Sequence, residues 1–163
     1  MKKEYTKLLK KILQKTKEYY KKNLISFVVF GSYAKDTLSP YSDIDILIIT
    51  KKQPKSRPRR IVNFINNIEQ KLEKYILGLR KKNIFVEISP LIKTQEEVKY
   101  GSFLFLDMIQ DSIILYDEGN FFRRYLDYLD KKLKEYGSKK IFEKGGYYWV
   151  IKENVNPKEG IDL

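Results

Sequence analysis

Two short apolar runs joined by a polar loop constrain the fold of this chain more than any other feature. Leu24–Phe30 reads LISFVVF and Ile44–Thr50 reads IDILIIT. Both are short and rich in β-branched or aromatic residues, the pattern of buried strands. Gly31 ends the first run, and residues 31–42 carry the Gly, Ser, Thr and Pro of a loop. Asp43 and Asp45 stand two apart where the second run begins. A strand alternates its side chains, so these two carboxylates share one face of the sheet.

The remainder supplies helices and further strands. Tyr5, Leu8, Leu9, Ile12, Leu13 and Tyr19 recur at three- and four-residue steps, which predicts an amphipathic helix over residues 2–22. Residues 51–60 (KKQPKSRPRR) hold six basic side chains and two Pro, and read as a mobile basic loop outside the core. Helical spacing returns over 61–81. Residues 84–88 read as a third strand, with Pro90 ending it or placing it at a sheet edge. Thr94 and Glu97 have the spacing of a capping box, opening a helix to about residue 110. A short strand follows at 113–116, then a helix over 120–136, then an aromatic tail with Tyr147, Tyr148 and Trp149. This order predicts an α/β (α+β) fold, a small mixed sheet with helices packed around it. At 163 residues a single domain is expected, with a core at about 24–117 and a helical, aromatic C-terminal extension over 118–163.

Composition narrows the chemistry. With no Cys and no His, disulfides, thiolate metal sites and imidazole bases are excluded. Catalysis must rest on carboxylates, Lys, Arg, Ser, Thr or Tyr. Residues 1–83 hold 21 Lys and Arg against seven Asp and Glu, a net charge of +14, and the remainder is close to neutral at −2. A basic half suits an anionic partner. No apolar run approaches the ~20 residues a membrane span needs. The opening Met-Lys-Lys-Glu-Tyr lacks the apolar region of a signal peptide, so a cytoplasmic protein is expected.

The loop and the carboxylates together point to phosphate chemistry. A Gly directly after a buried strand lets a ligand approach the backbone, and the N–H groups of Gly31 and Ser32 can bind phosphate oxygens. Two adjacent carboxylates repel unless a cation sits between them, and oxygen ligands of this kind suit Mg²⁺ or Mn²⁺. Glu87, between Val86 and Ile88, completes a three-carboxylate site if its strand pairs beside the second. Phosphate-binding loop and carboxylates are the minimum for metal-assisted nucleotidyl transfer.

Gly31-Ser32, ten residues, then Asp43-Ile44-Asp45, between two apolar strands, resembles the signature of the minimal nucleotidyltransferases, members of the polymerase-beta-like nucleotidyltransferase superfamily. Residues 24–50 carry the resemblance and 84–92 fit the later carboxylate strand. It implies that Gly31 and Ser32 hold the triphosphate, that Asp43 and Asp45 bind two Mg²⁺ ions, and that Glu87 binds the ion activating the acceptor hydroxyl. Lys35 falls where relatives often have a basic residue, which implies a phosphate contact. ATP is the implied donor. A tyrosine of a HEPN-type protein in a toxin–antitoxin pair is an implied acceptor. The alternatives are a non-catalytic or nucleotide-sensing antitoxin-like binding module, and an RNA-end nucleotidyltransferase, with nucleic acid the less favoured partner.

Overall fold

The computed structural model describes residues 1–152, so the last stretch of the expected extension lies outside the described residues. Helix α1 (Lys2–Tyr20) leads into β1 (Leu24–Phe30). A single turn, α2 (Gly31–Ala34), opens the loop to β2 (Ile44–Thr50). Then come α3 (Arg57–Phe64) and α4 (Glu73–Arg80), joined through a π turn at Ile65–Glu69 and a tight turn at Gln70–Leu72. Strand β3 (Ile88–Thr94), short helices α5 (Gln95–Lys99) and α6 (Phe103–Met108), β4 (Ile113–Asp117) and α7 (Phe121–Glu135) follow. A hairpin of β5 (Lys139–Glu143) and β6 (Gly146–Val150) ends the described chain.

The main sheet has the order β3-β2-β1-β4 and is mixed: β2 pairs antiparallel with β1 and parallel with β3. Alternation along the two central strands feeds two cores. Phe27, Val29, Ile44, Ile46 and Ile48 face α1 and α3–α4, burying Leu8, Ile12, Phe64 and Ile68. Ile25, Val28, Leu47 and Ile49 face α5–α7, burying Phe105, Met108, Phe122 and Leu126. The sheet is therefore the middle of three layers, which explains why β1 and β2 read as near-continuous apolar runs. Among the described residues no helix is long and apolar enough to cross a membrane.

Three expectations are corrected, and the aromatic tail gains a definite structure. The third strand spans Ile88–Thr94 rather than 84–88, and Pro90 lies inside it. That is tolerated because β3 is an edge strand, where a missing N–H faces no partner. The helix expected from Thr94 to about 110 is broken at Gly101, whose φ of +77° is a left-handed backbone suited to glycine. Ser102 then caps α6 by accepting from Leu104 N. The basic segment is not wholly a loop: α3 begins at Arg57, and Arg60 is 3 % exposed. Arg60 donates to Glu97 Oε2 at 2.6 Å, Glu97 Oε1 at 2.9 Å and the Pro54 and Ile92 carbonyls. Finally, the aromatic tail is a hairpin turning at Gly145 (φ +99°). Asp107 of α6 fastens it, accepting from Tyr147 OH at 2.6 Å, Lys140 Nζ at 3.0 Å and Trp149 Nε1 at 3.2 Å.

Candidate active site

The site is built where β1 ends and β2 begins. The register sets Phe30 opposite Asp45, which brings Gly31 against the Asp45 side chain. A methyl group on Gly31 would lie 2.1 Å from Asp45 Oδ2. Gly31 also has φ +66°. Both facts demand glycine here, one for space and one for backbone conformation. Ser32 follows in the same turn, and its carbonyl accepts from Thr37 N at 2.9 Å, closing the loop.

Asp45 is half-buried and Asp43 exposed. Burial raises the Asp45 carboxyl above its ordinary range, and the negative charge of Asp43 raises it further, while a hydrogen bond with the Ser89 side chain opposes both. No Lys or Arg among the described residues forms an ion pair with either aspartate. Two like charges held together, one partly desolvated, form a donor set short of positive charge, and hard oxygen donors of this kind fit a divalent cation such as Mg²⁺.

Glu87 lies just before β3 rather than within it. Its carbonyl accepts from Ile44 N at 2.8 Å, continuing the parallel ladder one step beyond Ile44–Ile88 and putting Glu87 beside Asp43 along the chain. Ile84, Val86 and Ile88 are buried, whereas Phe85, Glu87 and Ser89 are exposed; of these, Ser89 shares the face of Asp45, its partner in the register. Among the described residues no three carboxylates come close enough together to hold a metal ion. The Glu87 charge instead reaches Glu69 in the π turn, where burial first and that charge second raise the Glu69 carboxyl. Lys35 turns away toward α6–β4: its Nζ is 3.8 Å from Asp111 Oδ2 and 5.8 Å from the centre of the Tyr147 ring.

Sequence reasoning passed over four neighbours. Ser89 pairs in register with Asp45. Its signal was the two-residue step from Glu87, hidden while the strand was placed too early. Glu69 is carried by a π turn that helical periodicity does not reveal. Tyr41 and Phe85 stack with ring centres 5.4 Å apart, and the pairing depends on the Phe85 N to Pro40 O bond of 2.8 Å between distant segments.

Comparison with known proteins gives this geometry a lineage. Residues 9–103 match the family described as a nucleotidyltransferase domain. A Methanocaldococcus jannaschii protein carrying the name "Putative protein adenylyltransferase MJ1305" is 29% identical over 150 residues, 91% of this chain and 95% of that protein. A crystal structure of a toxin–antitoxin with AMP-PNP aligns with a TM-score of 0.48 and 18% identity, covering 79% of this chain and 92% of that one. A mutant of the toxin–antitoxin pair MntA–HpeT aligns with a TM-score of 0.48 and 17% identity, over 78% of this chain and 90% of that one.

Proposed function

Because the chain belongs to the nucleotidyltransferase domain family and is an enzyme of that type, we propose that it moves AMP from ATP to a hydroxyl on a protein side chain. The observation that carries this reading is the Asp43–Asp45 pair, with Asp45 packed on Gly31 and no cation from the protein's own described side chains beside it. The relative named as a protein adenylyltransferase supports both the adenylyl group and the protein acceptor. The motif resemblance supports a tyrosine of a HEPN-type partner as that acceptor.

In this reading Asp43 and Asp45 would hold Mg²⁺, with Mn²⁺ as substitute, and Glu87 is proposed as a third oxygen donor although the described side chains form no three-carboxylate cluster. The metal supplies Lewis-acid polarisation of the phosphate and a lowered hydroxyl pKa. Gly31 and Ser32 present N–H groups to the triphosphate and fix its orientation. Glu87, exposed just before β3, would accept the acceptor's proton as the hydroxyl oxygen bonds to the α-phosphorus and pyrophosphate leaves. Lys35, held by Asp111, adds positive charge near the loop rather than a direct grip on phosphate. The catalytic core is residues 24–117, with the hairpin fastened to it through Asp107.

A nucleic-acid acceptor fits less well. The exposed Lys51, Lys52, Lys55, Arg57 and Arg59 follow the far end of β2, one seven-residue strand from Asp43–Asp45, or roughly 20 Å. The test is incubation with ATP labelled at the α-phosphate and Mg²⁺ in a lysate of the native host. Label on a protein band that vanishes with Asp45→Asn supports the reading; label on RNA alone, or equal label with the variant, overturns it.

A further inference from the structure

The basic segment after β2 has no part in the reaction above, yet the fold pins its backbone. The register sets Leu24 opposite Thr50, so the turn before β1 and the segment after β2 leave the sheet side by side. Lys51 N donates to the Asn23 carbonyl at 2.9 Å. The Asn23 side chain then clamps Lys52, accepting from its N–H at 2.8 Å and donating to its carbonyl at 2.9 Å. Two residues on, the buried Arg60 donates to the Pro54 carbonyl at 2.6 Å. The backbone is thereby fixed, while Lys21, Lys22, Lys52, Lys55 and Arg59 stay exposed and form no ion pair among the described residues. Only Lys51 is paired at this end, with Glu118 at 3.4 Å.

Residues 51–60 contain no aromatic side chain, but the fold supplies one from α1. Lys52 borders a cleft of about 270 Å³ that is also lined by the half-buried Tyr19 and by Asn23, Gln53 and Asn63. None of the large exposed apolar side chains lies within residues 15–25 or 50–60. Cations without apolar anchors, beside one ring and several amides, match a phosphate backbone carrying bases. They do not match a lipid surface or the apolar face of a partner helix, each of which needs exposed apolar side chains to bury.

We propose that this end of the sheet is a docking surface for single-stranded nucleic acid, its phosphates held by the lysines and one base stacked on Tyr19 in the cleft. A basic groove combined with an aromatic face binds such strands with little regard to sequence. The pinned backbone lowers the ordering cost of binding. The surface stands at the opposite end of β2 from Asp43–Asp45, roughly 20 Å away, so the phosphates it grips stay clear of the carboxylates. It is independent of the transfer reading, since neither metal nor nucleotide enters it.

The test is fluorescence anisotropy of the full chain with labelled oligouridylate and oligodeoxythymidylate of about 12 nucleotides, without ATP or metal. Saturable binding of either strand is expected, with log affinity falling against log salt at a slope of about −3. Lys22→Ala, Lys52→Ala and Lys55→Ala together should weaken binding about tenfold or more and flatten the slope by about 2. These side chains are exposed, so the triple variant keeps the fold, and its urea midpoint verifies that. The same change at Lys3, Lys7 and Lys81, exposed around the other end of α1, should cost less than about twofold. Tyr19→Leu should weaken binding about fivefold, with Tyr19→Phe unaffected. No binding, or an equal loss in the control triple, overturns the assignment, and an unchanged Tyr19→Leu overturns the base seat. Displacement of the strand by polyglutamate or by anionic vesicles as readily as by unlabelled strand overturns it too, and gives the surface to an acidic protein or a lipid headgroup.

Discussion

The two ends of β2 treat a carboxylate in opposite ways. Beyond its C-terminal end, Glu97 meets the buried guanidinium of Arg60 in a two-pronged ion pair and also accepts from Thr94 N at 2.8 Å, completing a capping box. The Arg60 hydrogen bonds hold the Glu97 carboxyl at about 2, well below its ordinary range. At the N-terminal end, Asp45 is pressed on Gly31, faces Asp43 and is raised rather than lowered. One carboxylate is neutralised by the fold and the other is left in want of a cation. Under the proposed function, the contrast separates charge that stabilises from charge kept for a ligand.

The largest stability effect is expected at the neutralised end. Glu97→Gln strands the Arg60 charge in an apolar layer, and chemical denaturation should register a loss of about 3 kcal/mol with activity retained in the folded fraction. A loss under about 1 kcal/mol would mean that Arg60 finds solvent, and the contrast would blur.

Gly31→Ala comes next. It forces a side chain into a left-handed backbone and onto the Asp45 carboxylate, so a loss of about 2 kcal/mol is expected together with lost nucleotide binding. Asp45→Asn should run the other way, raising stability by up to about 1 kcal/mol while abolishing transfer, since it removes a repulsive charge the fold does not compensate. A destabilised Asp45→Asn variant would show that the aspartate is structural.

The smallest effect is in the pH profile of stability. Glu97, depressed when folded, contributes stability that is complete above its unfolded value near 4.5 and is lost as pH falls toward about 2. Asp45, raised when folded, behaves oppositely: its protonation relieves repulsion, so its term favours the fold as pH falls through the raised value. Wild type minus Asp45→Asn, measured by urea midpoints from pH 7 to 3, should therefore show a gap that narrows on acidification. A gap that widens contradicts the assignment of Asp45 as an uncompensated charge.

What the sequence disclosed follows from the range of the forces involved. Strands β1 and β2 and the Thr94–Glu97 capping box depend on near neighbours, and all were legible. Arg60 was not, because a basic run interrupted by prolines looks solvated and its partner lies 37 residues away. The bounds of β3 were misplaced because Ile84–Ile88 has strand-like composition, while of the two readings of Pro90 the sheet edge is the one the structure bears out. Ser89 and the Tyr41–Phe85 stack both hang on the β2–β3 pairing and its extension through Pro40 and Glu87, which no local pattern encodes.

The most direct measurement is a calorimetric titration of ATP with Mg²⁺ into wild type and into the Asp43→Asn, Asp45→Asn double variant. The account predicts saturable binding in wild type that requires Mg²⁺ and disappears in a fully folded double variant. Equal binding in both proteins, or binding indifferent to Mg²⁺, would contradict the claim that these two carboxylates await a metal-bound nucleotide.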